Sequence, residues 1–396
     1  MNPEKEILLM KTTSNRKSAL YRFIVLMLVF AMAFTLYACG DNKNGGSNDE
    51  ASMDLDSYSP IPKEPEPEPE PDPVINLLTG EIGTKDKVIK TRVVGVVVEN
   101  HPAARPQWGM DDPKYAPDII LQGEVEGGIT RMFWMWGDYK KMPEYVGPVR
   151  SARPPFIKFS ELFDAIFVHW GMSHTLGPYT GANDVFKADK VSHLNGMNYE
   201  RSAPFDRMQG TGRAIEHTAI VYGGQLPETL DAKFRTELKA NRTTQLNFYE
   251  SKKIRGNRDT CYSLSFRYSR VSDTTDWTYN PEDKMFHTSS FNNDVARDNL
   301  LVLFDKTEYI TNAKTTYCNY LFKGGNAYYA SCGSIQKVRW RVEDGKLYLY
   351  KKTKVTAEDG TETTEEKPFK INPGKTWIGW GSYNNGGSID FAPKAE

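Results

Sequence analysis

Cysteine is scarce in this chain, with four in 396 residues, and no two of them form a C-x-x-C pair. A zinc ribbon or a thioredoxin-like redox site therefore has no support. Histidine is nearly as rare, at six residues. His169 and His174 lie five apart, a poor match to the i, i+4 spacing that brings two ligands onto one helix face. No metal site and no cofactor are expected. Net charge is almost absent as well: the formal value is −1, which gives no global field for nucleic acid. Familiar catalytic signatures are also missing. "GMSHT" (Gly171 to Thr175) lacks the second glycine of a nucleophile elbow. "PGKTW" has Phe369 where a P-loop needs its first glycine, so it reads as a turn.

The charge that is present is unevenly placed. Residues 1–38 hold five Lys/Arg and two Glu, a net of +3. Residues 41–73 hold ten Asp/Glu and two Lys, a net of −8, which leaves the remainder near +4. Arg16, Lys17 and Arg22 precede a sixteen-residue apolar run, Phe23 to Ala38. A membrane span needs roughly 20 residues, so this run fits the core of a secretory leader. It ends in "LYACG", with Leu36 three residues before Cys39 and Ala38 just before it. The arrangement resembles a bacterial lipoprotein processing site, which implies a diacylglycerol thioether on Cys39. The expected location is the outer side of the cell membrane, held by lipid. The alternative is a soluble secreted chain cleaved near Ala38.

Behind Cys39 the chain is polar, and then reads "PKEPEPEPEPDP" from Pro62 to Pro73. Alternating proline favours polyproline II, and the glutamates repel one another. At about 3.1 Å per residue this makes a stiff spacer of roughly 35–40 Å. The expected layout is a leader over 1–38, a stalk over 39–73, an α/β domain over 74–225, a connector over 226–260 and a β-rich domain over 261–396. The fold class is α+β: a mixed α/β domain followed by a mostly antiparallel β domain.

Within the first domain the valine run of "RVVGVVVEN" (Arg92 to Asn100) predicts a buried strand. "DIILQGEVEGG" and "ITRMFWMWGDY" predict two more, and Ala165–Trp170 and "HTAIVYG" a fourth and fifth. Helices are expected over Pro155–Phe163, Thr180–Ala188 and, in the connector, Glu228–Ala240. In the second domain "VRWRV" alternates, with Val338, Trp340 and Val342 on one face and Arg339 and Arg341 on the other. Turns centred on Asp344-Gly345 and Asp359-Gly360 mark hairpins. Cys318 and Cys332 flank a Gly-Gly turn that would bring them together as a disulfide, permitted outside the cell. Unpaired thiols are the equal alternative.

Four motifs accumulate in order: "VENHPAARPQWG", "EVEGGITR", "VGPVRSARP" and "DAIFVHWG". They resemble the N-terminal domain of the YerB-type lipoproteins, and "FRYS", "DWTYN" and "NPGKTWIGW" resemble the C-terminal domain of the same family. The resemblance runs from Asn76 onward and departs at "RSAPFDRMQGTGRAIEHTA". It implies a lipoprotein with two domains and supplies no activity.

The candidate site gathers around "VGPVRSARPP". Positions 118, 120, 122, 124 and 126 of one strand share a face. That places Glu124 and Glu126 together as weak candidates for acid–base work. Arg131, Arg150 and Arg153, with Ser151, would form a cradle for phosphate or carboxylate, because planar guanidinium binds such groups bidentately. The competing reading pairs these arginines internally with Glu99, Glu124, Glu126 or Asp164. The favoured function is a membrane-anchored binder of an anionic envelope glycan, a lipid phosphate or a protein partner. The alternative is an enzyme on phosphate-bearing or lipid-linked wall precursors. "GGITRMFWMW" followed by "VGPVRSARP" is loosely similar to the arginine-bearing segments of LytR-CpsA-Psr-type wall-polymer ligases, without their spacing.

Overall fold

The computed structural model describes residues 72–199, 202–239, 246–254, 259–356 and 361–393. The leader, Cys39, nearly all of the stalk and the Asp359-Gly360 turn lie outside them. Residues Pro69–Glu396 form one compact unit.

The chain is mostly β. In the first half the main strands are β1 (Val94–Glu99), β2 (Ile119–Glu126), β3 (Ile129–Trp136), β4 (Ile166–His169) and β5 (His193–Asn195). In the second half they are β6 (Ser263–Arg267), β7 (Thr274–Asn280), β8 (Met285–Thr288), β9 (Val295–Arg297), β10 (Asn299–Asp305), β11 (Thr307–Thr311), β12 (Thr316–Tyr320), β13 (Gly325–Ser331), β14 (Ser334–Glu343), β15 (Lys346–Thr356), β16 (Glu362–Pro368), β17 (Thr376–Ser382) and β18 (Ser388–Ala392). The α-helices among the described residues are short: α1 (Pro154–Glu161), α2 (Ala182–Asp189) and α3 (Leu226–Lys233). Ala219–Tyr222, the "HTAIVYG" strand, joins a separate three-stranded sheet.

Helix α3 begins two residues before the expected Glu228 and stops at Lys233. Pro227 suits a first turn, where its missing N–H is not needed. Phe234 is already extended, and Glu237 then bridges to Thr91, so the backbone donors that a longer helix would use go to an extended pairing.

The main sheet runs β16-β15-β14-β13-β10-β17-β2-β3-β1-β4-β5. Strand β17 pairs in parallel with both β10 and β2. A strand from near the C-terminus therefore sits between the two sequence halves, and the expected boundary at 226–260 does not divide the sheet. All seven residues of β17 are buried, as a strand covered on both faces requires. Trp377 points into the layer that holds Phe266 and Trp277 from the five-stranded sheet β9-β8-β7-β6-β18. Trp380 points the other way, into the layer that holds Phe156 and Phe159 of α1. Gly379 lets the first layer close: a Cβ there would lie 2.5 Å from Trp377 and 2.7 Å from Phe266. The fold is thus three layers, with short helices on one face of the large sheet and the small sheet on the other.

Because β17 is hydrogen-bonded to β2 along five register pairs, a single protease nick between 226 and 260 should leave both halves in one particle. Gel filtration of nicked chain under native conditions should give one peak holding both fragments. Two separated peaks would mean that the shared sheet does not hold them.

The expected disulfide is not formed. Cys318 and Cys332 are both free and buried. Cys318 lies on β12, opposite Tyr309 of β11. The glycine pair meant to close a turn instead leads into β13, whose seven residues carry Cys332 to the far end of that strand. At about 3.3 Å per residue this is roughly 20 Å of extended chain.

Candidate functional site

Strands β10, β17, β2, β1, β4 and β5 all run in one direction, with β3 opposed to its neighbours. In open sheets of this kind, ligands favour the edge formed by the carboxyl ends of the strands. Glu99 ends β1, Glu124 and Glu126 end β2, His169 ends β4 and Asn195 ends β5. The segment around "VGPVRSARPP" lies across that edge. Val149 bridges to Val98, Arg150 N donates to Val97 O at 2.9 Å, and Ala152 bridges to Met172. Arg153 is extended, as a residue before proline should be, and α1 starts at Pro154.

This placement brings the sequence-predicted residues together, but as pairs. Arg153 grips Glu126 with two nitrogens: Nε donates to Oε2 at 3.0 Å and Nη2 to Oε1. Arg131 also reaches Glu126 Oε1, at 3.4 Å, and its Nη1 donates to Ser151 O at 2.7 Å. Arg150 Nε pairs with Glu99 Oε1 at 3.0 Å, and Arg150 Nη1 donates to Glu216 O at 3.1 Å. Glu99 Oε2 meets His217 Nδ1 at 2.9 Å. Ser151 Oγ donates to Trp170 O at 3.1 Å. Asp164, the fourth internal partner considered, pairs elsewhere, with Arg92 and Arg235.

The electrostatics follow from this pairing. Burial works to raise the Glu126 pKa, but the charges of Arg131 and Arg153 outweigh it, and the net shift is downward. Arg131 is pushed down to about 9, first by burial and then by the like charge of Arg153. The two arginines repel one another, and Glu126 between them holds the pair together.

The expected sharing of a face by Glu124 and Glu126 is corrected. The β2–β3 register places Glu124 opposite Thr130 and then Glu126 opposite Ile129, with a bulge between. One extra residue reverses the alternation, so Glu126 joins the Arg131 side and Glu124 stays with Thr130. Glu124 Oε2 accepts from Tyr309 at 2.8 Å, while its Oε1 is buried with no hydrogen-bond partner among the described residues. The two carboxylates do not face a common substrate position.

Sequence reasoning weighed His169 only as a metal ligand beside His174, and missed its pairing with His193. His169 is fully buried, and burial pushes it down to about 3. Its Nδ1 lies 2.6 Å from Gly171 O and its Nε2 lies 3.0 Å from His193 Nδ1. A neutral His169 donates to the carbonyl and accepts from His193. His217 was missed too, because its segment departs from the family pattern. The signal available was a histidine just before the apolar "TAIVY". Among the described residues no group of three or more His, Cys, Asp and Glu is arranged to hold a metal.

A second feature opens at the opposite, amino edge. A recess of about 1480 Å³ is lined by Asp118 and Lys375, which directly precede the adjacent strands β2 and β17, and by Arg297, which ends β9 of the small sheet. Arg297 is buried and pushed down to about 10 by that burial; its Nη1 donates to Ala296 O at 2.7 Å. Lys375 Nζ donates to Ala116 O at 2.9 Å. Burial raises the pKa of Asp118, despite a 2.8 Å hydrogen bond from Gly137 N. Sequence reading gave only a turn at "PGKTW".

Residues 78–238 match the N-terminal domain, and residues 264–378 the C-terminal domain, of a protein of unknown function, DUF3048. The chain is 28% identical over 310 residues to the Bacillus subtilis protein named "Putative lipoprotein YerB", covering 76% of this chain and 84% of that one. The crystal structure of YerB from Bacillus subtilis superposes with a TM-score of 0.60 at 25% identity, covering 79% of this chain and 98% of the other. No helix among the described residues is long and apolar enough to cross a membrane. From ordered motifs, two matched domain models and a fold shared with YerB, this chain belongs to the DUF3048 family.

Proposed function

We propose that this chain is a lipoprotein anchored through Cys39 on the outer side of the cell membrane, where it binds a component of the envelope without transforming it. The name of its Bacillus relative supports the anchoring, as do the leader and the "LYACG" site. One observation carries the preference for binding over catalysis. Apart from Glu124, which meets Tyr309, the arginines and carboxylates at the carboxyl edge are spent on each other, with Glu126 held by Arg131 and Arg153, and Glu99 held by Arg150 and His217. A general base or nucleophile needs a group poised toward substrate. These groups are poised toward one another, and they fix the segment 146–155 as a rigid rim.

Two measurements test this. The full chain in detergent should pellet with purified cell-wall material and release no soluble glycan or phosphate from it. Chain left in the supernatant, or product release that depends on Glu124, would overturn the reading. In cells, Cys39→Ala should move the protein out of the membrane fraction or leave an unprocessed precursor. A processed variant that still partitions into detergent would refute the anchor.

A further inference from the structure

A separate cavity of about 570 Å³ lies where β18, the last strand of the small sheet, meets the face of the large sheet. It is within the size range of small-ligand sites, roughly 300–1,000 Å³. Its walls are Phe304, Tyr328, Ile389 and Tyr383, and its polar groups include Asn326 and Arg339. Tyr383 is 54% exposed, a large aromatic ring left beside an open cavity. Gly387 keeps one wall thin: a Cβ there would lie 2.5 Å from Ser382 O and 2.8 Å from Tyr268 O.

Arg339 is the distinctive group. Its Nη1 donates to Asn326 Oδ1 at 3.2 Å, and its Nε is buried with no acceptor. No carboxylate stands within ion-pair distance of it among the described residues. Its neighbour Arg341 is the opposite case, paired with Glu343 and Glu366 and packed against the rings of Tyr348 and Tyr350. The registers place all of these on one face. Asn326 stands opposite Arg339, Arg339 opposite Tyr350, and Arg341 opposite Tyr348, and directly opposed residues share a face. An aromatic strip therefore leads away from the cavity along the sheet. It is the alternation of "VRWRV" and "KLYLYKK" that puts arginine and tyrosine on this side.

We propose that this cavity binds a saccharide ring that carries an anionic group, either carboxylate or phosphate. Tyr383 and Tyr328 offer flat apolar surface to the C–H face of the ring. Arg339 offers the anion a planar guanidinium that no carboxylate neutralises, and Asn326 offers its amide to hydroxyls. The proposal names a site and a ligand class for the envelope-binding reading, and rests on it.

The test is calorimetric titration of the full chain in detergent with three probes. N-acetylmuramic acid carries a carboxylate, N-acetylglucosamine 1-phosphate carries a phosphate, and N-acetylglucosamine carries neither. At least one charged probe should bind about tenfold or more tightly than the uncharged one, and which one it is identifies the anion. Arg339→Gln should remove that advantage, and Tyr383→Ala should weaken the charged and uncharged probes alike. Arg339→Gln gives up only one internal hydrogen bond, so its thermal midpoint should stay near that of the wild type; Arg339→Lys, which keeps the charge without the fork, should retain part of the binding. Equal binding of all three probes, no binding of any, or full charged-probe binding by Arg339→Gln each overturns the site. Wild-type chain that pellets with wall material but ignores the probes would sink this site and leave the envelope-binding reading standing. Chain that binds charged probes through Arg339 but fails to pellet would do the reverse.

Discussion

Arg153→Ala should cost about 3 kcal/mol of stability, and added phosphate should not restore it. Arg153 and Glu126 are mostly buried, with side-chain exposures of 12% and 22%. Removing one partner of a buried ion pair leaves the other uncompensated, which typically costs about 3–5 kcal/mol. The low end applies because Arg131 stays beside Glu126, though at 3.4 Å. The Arg153 guanidinium also lies over Tyr317, whose ring stacks on Tyr179 at 3.8 Å, so contact between β12 and the α1–α2 region is lost as well. Arg150→Ala should be milder, about 1 kcal/mol, because Arg150 is 29% exposed and Glu99 keeps His217. Urea unfolding of both variants, with and without phosphate, reads the difference. Near-neutral stability of Arg153→Ala together with phosphate stabilisation of the wild type would restore the anion cradle.

Lowering the pH from 7.5 to 4.5 should remove about 2–3 kcal/mol of stability through His169 alone. The unfolded chain binds a proton at this residue near pH 6.5, whereas the folded chain resists until about 3. The folded pKa is depressed, so the stabilisation is fully present above the unfolded pKa. It is lost as pH falls between about 6.5 and 3, at about 1.4 kcal/mol per unit. The physical cause is burial, aided by the neighbouring His193. His193 shifts in the same direction through its own burial and adds to the slope. Glu126 acts at lower pH: its lowered pKa means that its contribution fades only as pH drops below the ordinary carboxylate range. His169→Gln should flatten the interval between pH 6.5 and 4.5, whatever its effect on absolute stability. A wild-type curve that is already flat there would show that His169 is protonated in the folded state.

Local pattern was legible and long-range pairing was not. The valines of β1 and the alternation of β14 followed from period and composition. So did the starts of α1 and α2, within two residues. Strand β17, by contrast, was read only as the turn that precedes it. The insertion of β17 between β10 and β2 could not be read this way. It joins residues such as Trp377 and Gln122, 255 positions apart, whose side chains hydrogen-bond at 3.1 Å. Nothing in either local stretch encodes that neighbour. The same limit explains the disulfide: a Gly-Gly pair signals a change of direction, but not which strand follows it. At the site, residue types and their convergence were legible, whereas their allegiance was not. Strict alternation put Glu124 and Glu126 together, and a single bulge before Gly127-Gly128 parted them. That bulge decides that Glu126 holds two arginines while Glu124 meets Tyr309. Arg339 was placed on the face of β14 opposite Trp340, but its lack of a carboxylate partner emerges only from the neighbouring strands.

Whether Arg153 and Glu126 act as one unit is read most directly by a double-mutant cycle on Arg153→Ala and Glu126→Ala, with stability measured by urea unfolding at pH 7.5. A structural pair predicts strong coupling, about 2 kcal/mol or more, with the double variant less damaged than the sum of the single ones. Additive losses within about 0.5 kcal/mol would contradict the pairing and return the arginines of the carboxyl edge to a ligand.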